Sequence, residues 1–274
     1  MKNCLNKLIN EADKVVIGAG SGLSASAGLT YSGKRFEENF SDFIKEYGLS
    51  DMYSSAFYNY PSMEIFWAYF SRHIFLNRYD EILEDTYKKL LKLVKDKDYF
   101  VISTNVDHAF IRSGFDTERL FCTQGNYGLF QCSKPCHDDT YENESAVMEM
   151  LKTQKDMKIP TNLIPHCPKC GALMSLNLRK DDTFVQDKNW YKSLEKYEKF
   201  IDSTTDKNVV FLEFGVGYNT PGIIKYPFWN FTYKNKKATY VCINLETEGI
   251  PPEINNQSFI YNTDANKFLD NLLK

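Results

Sequence analysis

The sequence predicts an α/β protein built on a parallel sheet with helices on both faces. Three observations carry this. Short apolar runs that read as buried strands alternate with longer segments of helical periodicity. The first of these runs, Lys14-Val15-Val16-Ile17, opens directly into the glycine-rich turn Gly18-Ala19-Gly20-Ser21-Gly22. Two regions interrupt the alternation, an aromatic stretch from Phe36 to Arg78 and a polar one from Tyr127 to Asp187.

Along the chain, Leu5 to Ile9 reads as a short amphipathic helix ahead of the first strand. Further strands are expected at Tyr99 to Ser103, Arg119 to Cys122, Val209 to Phe214, Tyr240 to Ile243 and Phe259 to Tyr261. Helices are expected at Glu64 to Phe75, Ile82 to Val94, Trp190 to Ile201 and, closing the chain, Asn266 to Leu273. The Phe36–Arg78 stretch, dense in Phe, Tyr and Trp, predicts a helical cap, and Tyr127–Asp187 an insertion between core strands. There is no internal repeat and no low-complexity linker.

Composition narrows the class. The 274 residues are 43% hydrophobic and 25% charged with a formal net charge of -3, which suits a large core and argues against disorder or nucleic-acid binding. Lysines alternate with acids, as in Tyr191-Lys192-Ser193-Leu194-Glu195-Lys196, and read as a solvated helix face. The first ten residues lack the apolar centre of a signal peptide, and no apolar run approaches the length of a bilayer span. The expectation is a soluble, cytoplasmic protein. The seven cysteines fit metal binding better than a disulfide framework, because four of them form two close pairs.

Those pairs, Cys132/Cys136 and Cys167/Cys170, place thiolates on tight turns, and four such sulfurs suit a tetrahedral zinc ion. With all four positions filled by protein the zinc is structural, and His137 or His166 beside the pairs is an alternative to one cysteine. Unmetallated buried cysteines are the other reading. Of the remaining three, Cys4, Cys122 and Cys242, the last two sit in apolar runs and read as core.

Other segments point to a nucleotide. Glycines such as Gly18 and Gly20 let a backbone approach a phosphate, although an ordinary strand-to-loop turn would use them too, and the third glycine is out of register with the dinucleotide fingerprint. Ser103-Thr104-Asn105-Val106-Asp107-His108 follows an apolar strand, where polar residues of an open sheet face a ligand crevice or cap a helix. Phe214-Gly215-Val216-Gly217-Tyr218-Asn219 repeats that logic, with an ordinary turn again as the alternative. Asn244, after another strand, can meet a ribose hydroxyl. His73, inside the aromatic helix, reads as a packing residue, and His108 as a helix-start residue.

Taken in order, these segments resemble the sirtuin family, most closely its microbial class M branch. Gly18-Ala19-Gly20 with Leu23-Ser24-Ala25-Ser26-Ala27-Gly28-Leu29 is similar to the sirtuin opening loop, with about two extra residues after the glycines. Thr104-Asn105-Val106-Asp107 resembles the family's Gln-Asn-Ile-Asp, and Gly215-Val216-Gly217 stands where sirtuins carry Gly-Thr-Ser. Ile243-Asn244-Leu245-Glu246 resembles the adenosine-ribose segment, and the cysteine pairs the zinc module.

The resemblance implies a Rossmann-like, doubly wound NAD-binding domain at 1–126 and 188–274, carrying the helical cap at 36–95, with a small inserted zinc module at 127–187. It implies NAD contacts from Gly18, Ala19, Gly20, Ser24, Tyr31, Arg35, Thr104, Asn105, Asp107, Gln124, Gly215, Val216, Gly217, Asn219, Asn244, Leu245 and Ala265, and zinc ligation by Cys132, Cys136, Cys167 and Cys170.

Two departures redirect the chemistry. The Asp-Phe-Arg of deacylating sirtuins is missing after Leu29, where the chain reads Thr30-Tyr31-Ser32-Gly33-Lys34-Arg35 and Arg35 is the replacement candidate. Thr123-Gln124-Gly125 stands where the family has His-Gly, so Gln124 occupies the general base's position. An amide orients a ribose by hydrogen bonding but takes no proton, and losing a general base costs ~10²–10⁴-fold. Cleavage of the bond to nicotinamide survives that loss. The expectation is ADP-ribosyl transfer to a protein side chain, with Asn105, Asp107 and Gln124 as catalytic residues. By resemblance to class M, the acceptor is a lipoyl-carrier protein. Residual deacylation, NAD hydrolysis and an NAD- or ADP-ribose-binding module without turnover are the competing readings.

Overall fold

A computed structural model describes residues 2–81, 84–247 and 249–274. Its strands are β1 (Lys14–Ala19), β2 (Tyr99–Ser103), β3 (Leu120–Cys122), β4 (Gly125–Cys132), β5 (Tyr141–Glu142), β6 (Met174–Leu178), β7 (Val209–Phe214), β8 (Thr239–Asn244) and β9 (Ser258–Asn262). The chain forms two compact units: Met1–Gly28, Leu83–Gln124 and Asn189–Lys274 make the first, and Leu29–Ile82 with Gly125–Lys188 the second.

The first unit is the predicted parallel sheet, in the order β3-β2-β1-β7-β8-β9. β2 and β7 are buried at every position, as strands covered on both faces must be, which is why their sequence is nearly unbroken apolar. On one face Val16, Phe100, Phe211 and Cys242 pack with Tyr197, Ile224 and Phe228 from the helices Lys188–Asp202 and Lys225–Lys234 and the loop before the latter. On the other, Phe214 meets Phe268 of the helix Ala265–Leu273 at 6.3 Å between ring centroids. That helix starts with Asp264 accepting from the Lys267 amide, and it is tied to the helix Thr86–Val94 by Lys89, which reaches Asn266 and Asp270 at 2.8 Å each. The expected start of that second helix at Ile82 lies outside the described residues.

From central β1 the chain moves outward through β2 and β3, then returns to β7 on the other side of β1. Strand order therefore reverses between β1 and β7. Open α/β sheets bind their ligands in the crevice at the carboxyl ends of the strands at such a point.

The second unit joins the aromatic stretch to the cysteine-bearing one. The helix Met63–Ile74, with Ser62 as N-cap, carries Tyr69 into a cluster with Phe40, Phe43 and Tyr60 at centroid distances of 4.7, 5.5 and 5.3 Å. It runs on into a π-helical turn, Phe75–Tyr79, where the expected helix would have ended. There Leu76 O and Asn77 Oδ1 accept from Arg35 at 2.6 and 2.9 Å. The remaining three strands form an antiparallel sheet, β5-β4-β6.

His73 is a fully buried titratable group of this unit, and it does read as packing. Its Nε2 lies 2.9 Å from the Tyr127 hydroxyl, which lies 2.8 Å from that of Tyr31. Burial, with the Arg35 charge adding to it, holds its pKa down to about 3. The unfolded chain therefore takes up a proton near pH 6.5 that the folded one refuses until about pH 3. This protonation difference vanishes above that window and destabilises the fold progressively as pH falls through it. In thermal melts from pH 7 to pH 4, His73→Phe is expected to lose less of its own stability than the wild type does. Parallel slopes would rule out His73 as the source.

Candidate functional site

Two glycine loops interlock at the switch point. Gly20 N donates to Phe214 O (2.9 Å) and Gly22 N to Gly215 O (3.0 Å). A Cβ on Gly20 would lie 2.5 Å from Gly215 O, and one on Gly215, whose φ is +59°, would lie 2.4 Å from Leu23 N. These glycines are needed because the two backbones touch each other. Gly18 serves packing in the same way, since a Cβ there would lie 2.3 Å from Ile224. Gly217 is different: the space beside it is open, leaving backbone accessible to a ligand.

Thr104 joins β2 to this crest through N–H donation to Ala19 O (3.0 Å). Beyond it a directed chain of hydrogen bonds runs through the buried polar residues. Asn105 Nδ2 donates to Gly20 O (2.9 Å) and, at 3.5 Å, towards the Tyr87 hydroxyl. Ser24 Oγ donates to Asp107 Oδ2 (2.5 Å), so the Tyr87 O–H, 2.8 Å from Ser24 Oγ, donates to it. Asp107 Oδ1 also accepts from Ala109 N (2.8 Å), capping the turn Ala109–Arg112. With Nδ2 engaged, Asn105 offers Oδ1 to a ligand's N–H, and among the described residues no donor is bonded to that oxygen.

Tyr87 was not legible as a site residue. It is fully buried, and burial together with the Asp107 charge drives its pKa well above the usual phenol value, so it stays a neutral donor. In the sequence it is one more apolar position of an amphipathic helix.

The other expected residues fall as follows. Asn244 Nδ2 donates to Val216 O (3.1 Å) and its Oδ1 accepts from Leu245 N (2.9 Å), which ties β8 to the glycine loop after β7. Leu245 is exposed, Asn219 lies in the 215–221 loop, and Ala265 opens the final helix. Gln124 follows Thr123, whose N–H donates to Ser103 O (2.9 Å), and its Nε2 approaches Thr123 Oγ1 at 3.4 Å. Tyr31 and Arg35 belong to the second unit, where Arg35 Nη1 and Nη2 are given to Thr30 O, Asn77 and Leu76 O.

Polar side chains gathered at the carboxyl ends of β1, β2, β7 and β8, with open backbone at Gly217, fit a dinucleotide such as NAD.

In the second unit, the β4–β6 pairing sets Cys132 opposite Met174 and so brings the two cysteine turns together. The second turn is a knuckle in which Cys167 N donates to Ala172 O (2.7 Å) and Gly171 takes φ +71°. All four Sγ atoms lie within 4.8 Å of one another, with Cys132–Cys170 at 3.6 Å and Cys136–Cys167 at 3.7 Å. A zinc tetrahedron with Zn–S of ~2.3 Å has sulfur edges of ~3.8 Å, so the cluster fits that ion, whereas a disulfide would need ~2.0 Å. Of the alternative ligands, His137 lies beside the cluster, spanning Cys136 Sγ (2.9 Å) and the Tyr141 hydroxyl (2.8 Å), and His166 Nδ1 meets Ile164 O (2.8 Å).

A metal held by cysteines from two separate turns would tie those turns together and supply folding free energy to this unit. Chelation at neutral pH is expected to release about one zinc per chain and lower the thermal midpoint, with Cys167→Ala giving the same loss without chelator. A purified protein with no zinc and no response to chelator would remove the metal from this account.

No family model matches the chain. It is 40% identical over 271 residues to a protein ADP-ribosyltransferase of Staphylococcus aureus, covering 98% of this chain and 86% of that one. It is 34% identical over 236 residues to a probable bifunctional ADP-ribose hydrolase/ADP-ribosyltransferase of Fusarium oxysporum f. sp. cubense, covering 80% of this chain and 38% of that longer one. Among solved structures, a Sir2 homologue in complex with NAD superposes with a TM-score of 0.61 at 17% identity, covering 100% of this chain and 93% of that one. A sirtuin solved in a study of substrate affinity superposes with a TM-score of 0.60 at 20% identity, covering 100% and 98%. Among the described residues no helix is long and apolar enough to cross a membrane. A parallel sheet of the sirtuin kind, a four-cysteine cluster and a near full-length relative agree: the chain has the sirtuin fold, belongs to the protein ADP-ribosyltransferase family, and is an NAD-dependent enzyme.

Proposed function

We propose that this protein transfers ADP-ribose from NAD to a side chain of another protein, releasing nicotinamide, and that a lipoyl-carrier protein is the acceptor. One observation carries the choice of reaction. The end of β3 offers the neutral amide Gln124, and three of the four histidines are committed elsewhere: His73 in the aromatic core, His137 beside Cys136, and His166 on a backbone carbonyl. The fourth, His108, sits in a left-handed backbone conformation as the N-cap of the turn Ala109–Arg112. Deacylation needs a base at the ribose, whereas transfer of ADP-ribose needs the bond to nicotinamide broken and an acceptor in place.

NAD supplies the ribosyl group and its leaving nicotinamide. In this reading Asn105 Oδ1 accepts from the nicotinamide amide, which fixes the leaving group. The Asp107 carboxylate, oriented by Ser24 and Ala109, favours the positive charge that develops on the ribose. Gln124 orients the ribose. The glycine loops and Asn244 shape the surface for the phosphates and the distal ribose. The division at 1–126 with 188–274 for NAD and 127–187 for zinc, and a reducing cytoplasm that keeps the cysteines free for metal, belong to the same proposal.

The test is nicotinamide release from NAD with and without a lipoyl-carrier protein. Wild-type release is expected to depend on the carrier and to label it, with Asn105→Ala slower by roughly 10²-fold. Gln124→His is expected to leave transfer within about tenfold, because the amide's part is orientation rather than proton transfer. Carrier-independent release would indicate NAD hydrolysis. Binding without release would indicate a module that has lost turnover, and turnover of an acetyl-lysine peptide alone would indicate deacylation.

Tyr87→Phe separates the hydrogen-bond chain from packing, since the ring keeps its edge contact with Phe110 at 4.9 Å. Losing one net hydrogen bond of ~1 kcal/mol should weaken NAD binding about fivefold. Unchanged affinity in that variant would show that the hydroxyl does not shape the site.

A further inference from the structure

The first unit buries an ion pair that the chemistry above does not use. Glu213, on β7, is fully buried and Lys225 is 2% exposed, with Nζ 2.5 Å from Oε1. Tyr240 O–H donates to the other carboxylate oxygen at 2.8 Å, and the Cys242 thiol approaches Oε1 at 3.6 Å. Burial and the Glu213 charge push the Cys242 thiol up to about 12, so it stays protonated beside the carboxylate. Lys225 begins the helix Lys225–Lys234, where a cation opposes the helix dipole. An apolar pair of similar volume would stabilise the fold as well or better. What the ion pair adds is a cation fixed at a defined place.

That place is the base of the glycine loop. Residues 215–224 leave the end of β7, one residue beyond Glu213, and return to Lys225, so the pair closes the loop near its two ends. The Lys225 ammonium lies 5.1 Å from the ring centroid of Tyr218, between Gly217 and Asn219, and 5.8 Å from that of Trp229. The Lys225 ammonium is buried while the Tyr218 ring remains 37% exposed, so the cation is held from below and attracts the face of a ring that the loop carries at the surface.

We propose that Lys225 is a positioning residue for NAD: anchored on Glu213, its ammonium holds the Tyr218 ring and so fixes the 215–219 loop in its binding conformation. This rests on the NAD reading of the crevice. Two variants probe it differently. Tyr218→Leu removes the ring and leaves the ion pair in place, whereas the double variant Glu213→Gln/Lys225→Met removes both charges at nearly constant volume. Tyr218→Phe restores a ring. Each is measured for NAD affinity by calorimetry and, without NAD, for hydrogen exchange of the 215–220 amides. Tyr218→Leu and the double variant are expected to bind NAD about tenfold more weakly and to exchange faster in that segment, with Tyr218→Phe recovering most of both. Wild-type affinity and wild-type exchange in Tyr218→Leu would overturn the proposal. If the wild type itself binds no NAD, the NAD reading fails, and exchange in Tyr218→Leu alone then decides the staple: faster upholds it, unchanged overturns it.

Discussion

The structure depends on backbone-to-backbone contact where the strand order reverses. Between β1 and β7 the chain must leave two neighbouring parallel strands at the same edge, and the two loops compete for one space. They resolve it by touching: Gly20 and Gly22 lie against Gly215 so closely that a methyl group on any of them would meet main-chain atoms within 2.4–2.7 Å. That contact sets the height of both loops above the sheet. The position of Gly217, the reach of Asn244 to Val216 O and the seat of Asn105 on Gly20 O all follow from it.

A second consequence is how polar groups become tolerable there. A buried amide, phenol, hydroxyl and carboxylate would each cost free energy alone. Arranged as Asn105, Tyr87, Ser24 and Asp107, they pass donors in one direction and end on the one group that only accepts. The chain fixes the Asp107 carboxylate and turns Asn105 so that its oxygen is the atom on offer. A site assembled this way is set before its ligand arrives, and pre-setting reduces the ordering cost of binding.

Much of this was legible in the sequence. β2 and β7 fall on their predicted bounds because both are unbroken buried runs, and the cysteine spacing announced the metal cluster because few other folds need thiols so placed. What stayed hidden was decided by tertiary contact. Tyr87 sits on a helix whose apolar face would be the same with Phe in its place, and only its neighbours reveal the hydroxyl's use. Lys225 and Glu213 lie twelve residues apart with a loop between them, a spacing that names no motif. At Gly18 and Gly20 close approach does require glycine, and the nearest approaching atoms are the protein's own, on Ile224 and Gly215. Arg35, the replacement candidate for the missing family arginine, spends Nη1 and Nη2 on carbonyl and amide oxygens beside the π-helical turn, which no local pattern foretold.

The same reasoning explains why the residue two positions beyond β3 can vary without disturbing the fold. Thr123 is held by Ser103 O through both its N–H and its hydroxyl, and Trp190 Nε1 donates to its carbonyl at 3.3 Å. The backbone beneath position 124 is therefore set by neighbours, and the side chain there contributes little to holding it. Gln124 bonds only weakly to Thr123, at 3.4 Å, so an imidazole would meet the same scaffold. A base is thus separable from the machinery that orients NAD. In the proposed reaction, then, proton transfer can be lost while Asn105, Asp107 and the glycine loops are kept, and transfer to an acceptor is the activity that such a remainder would support.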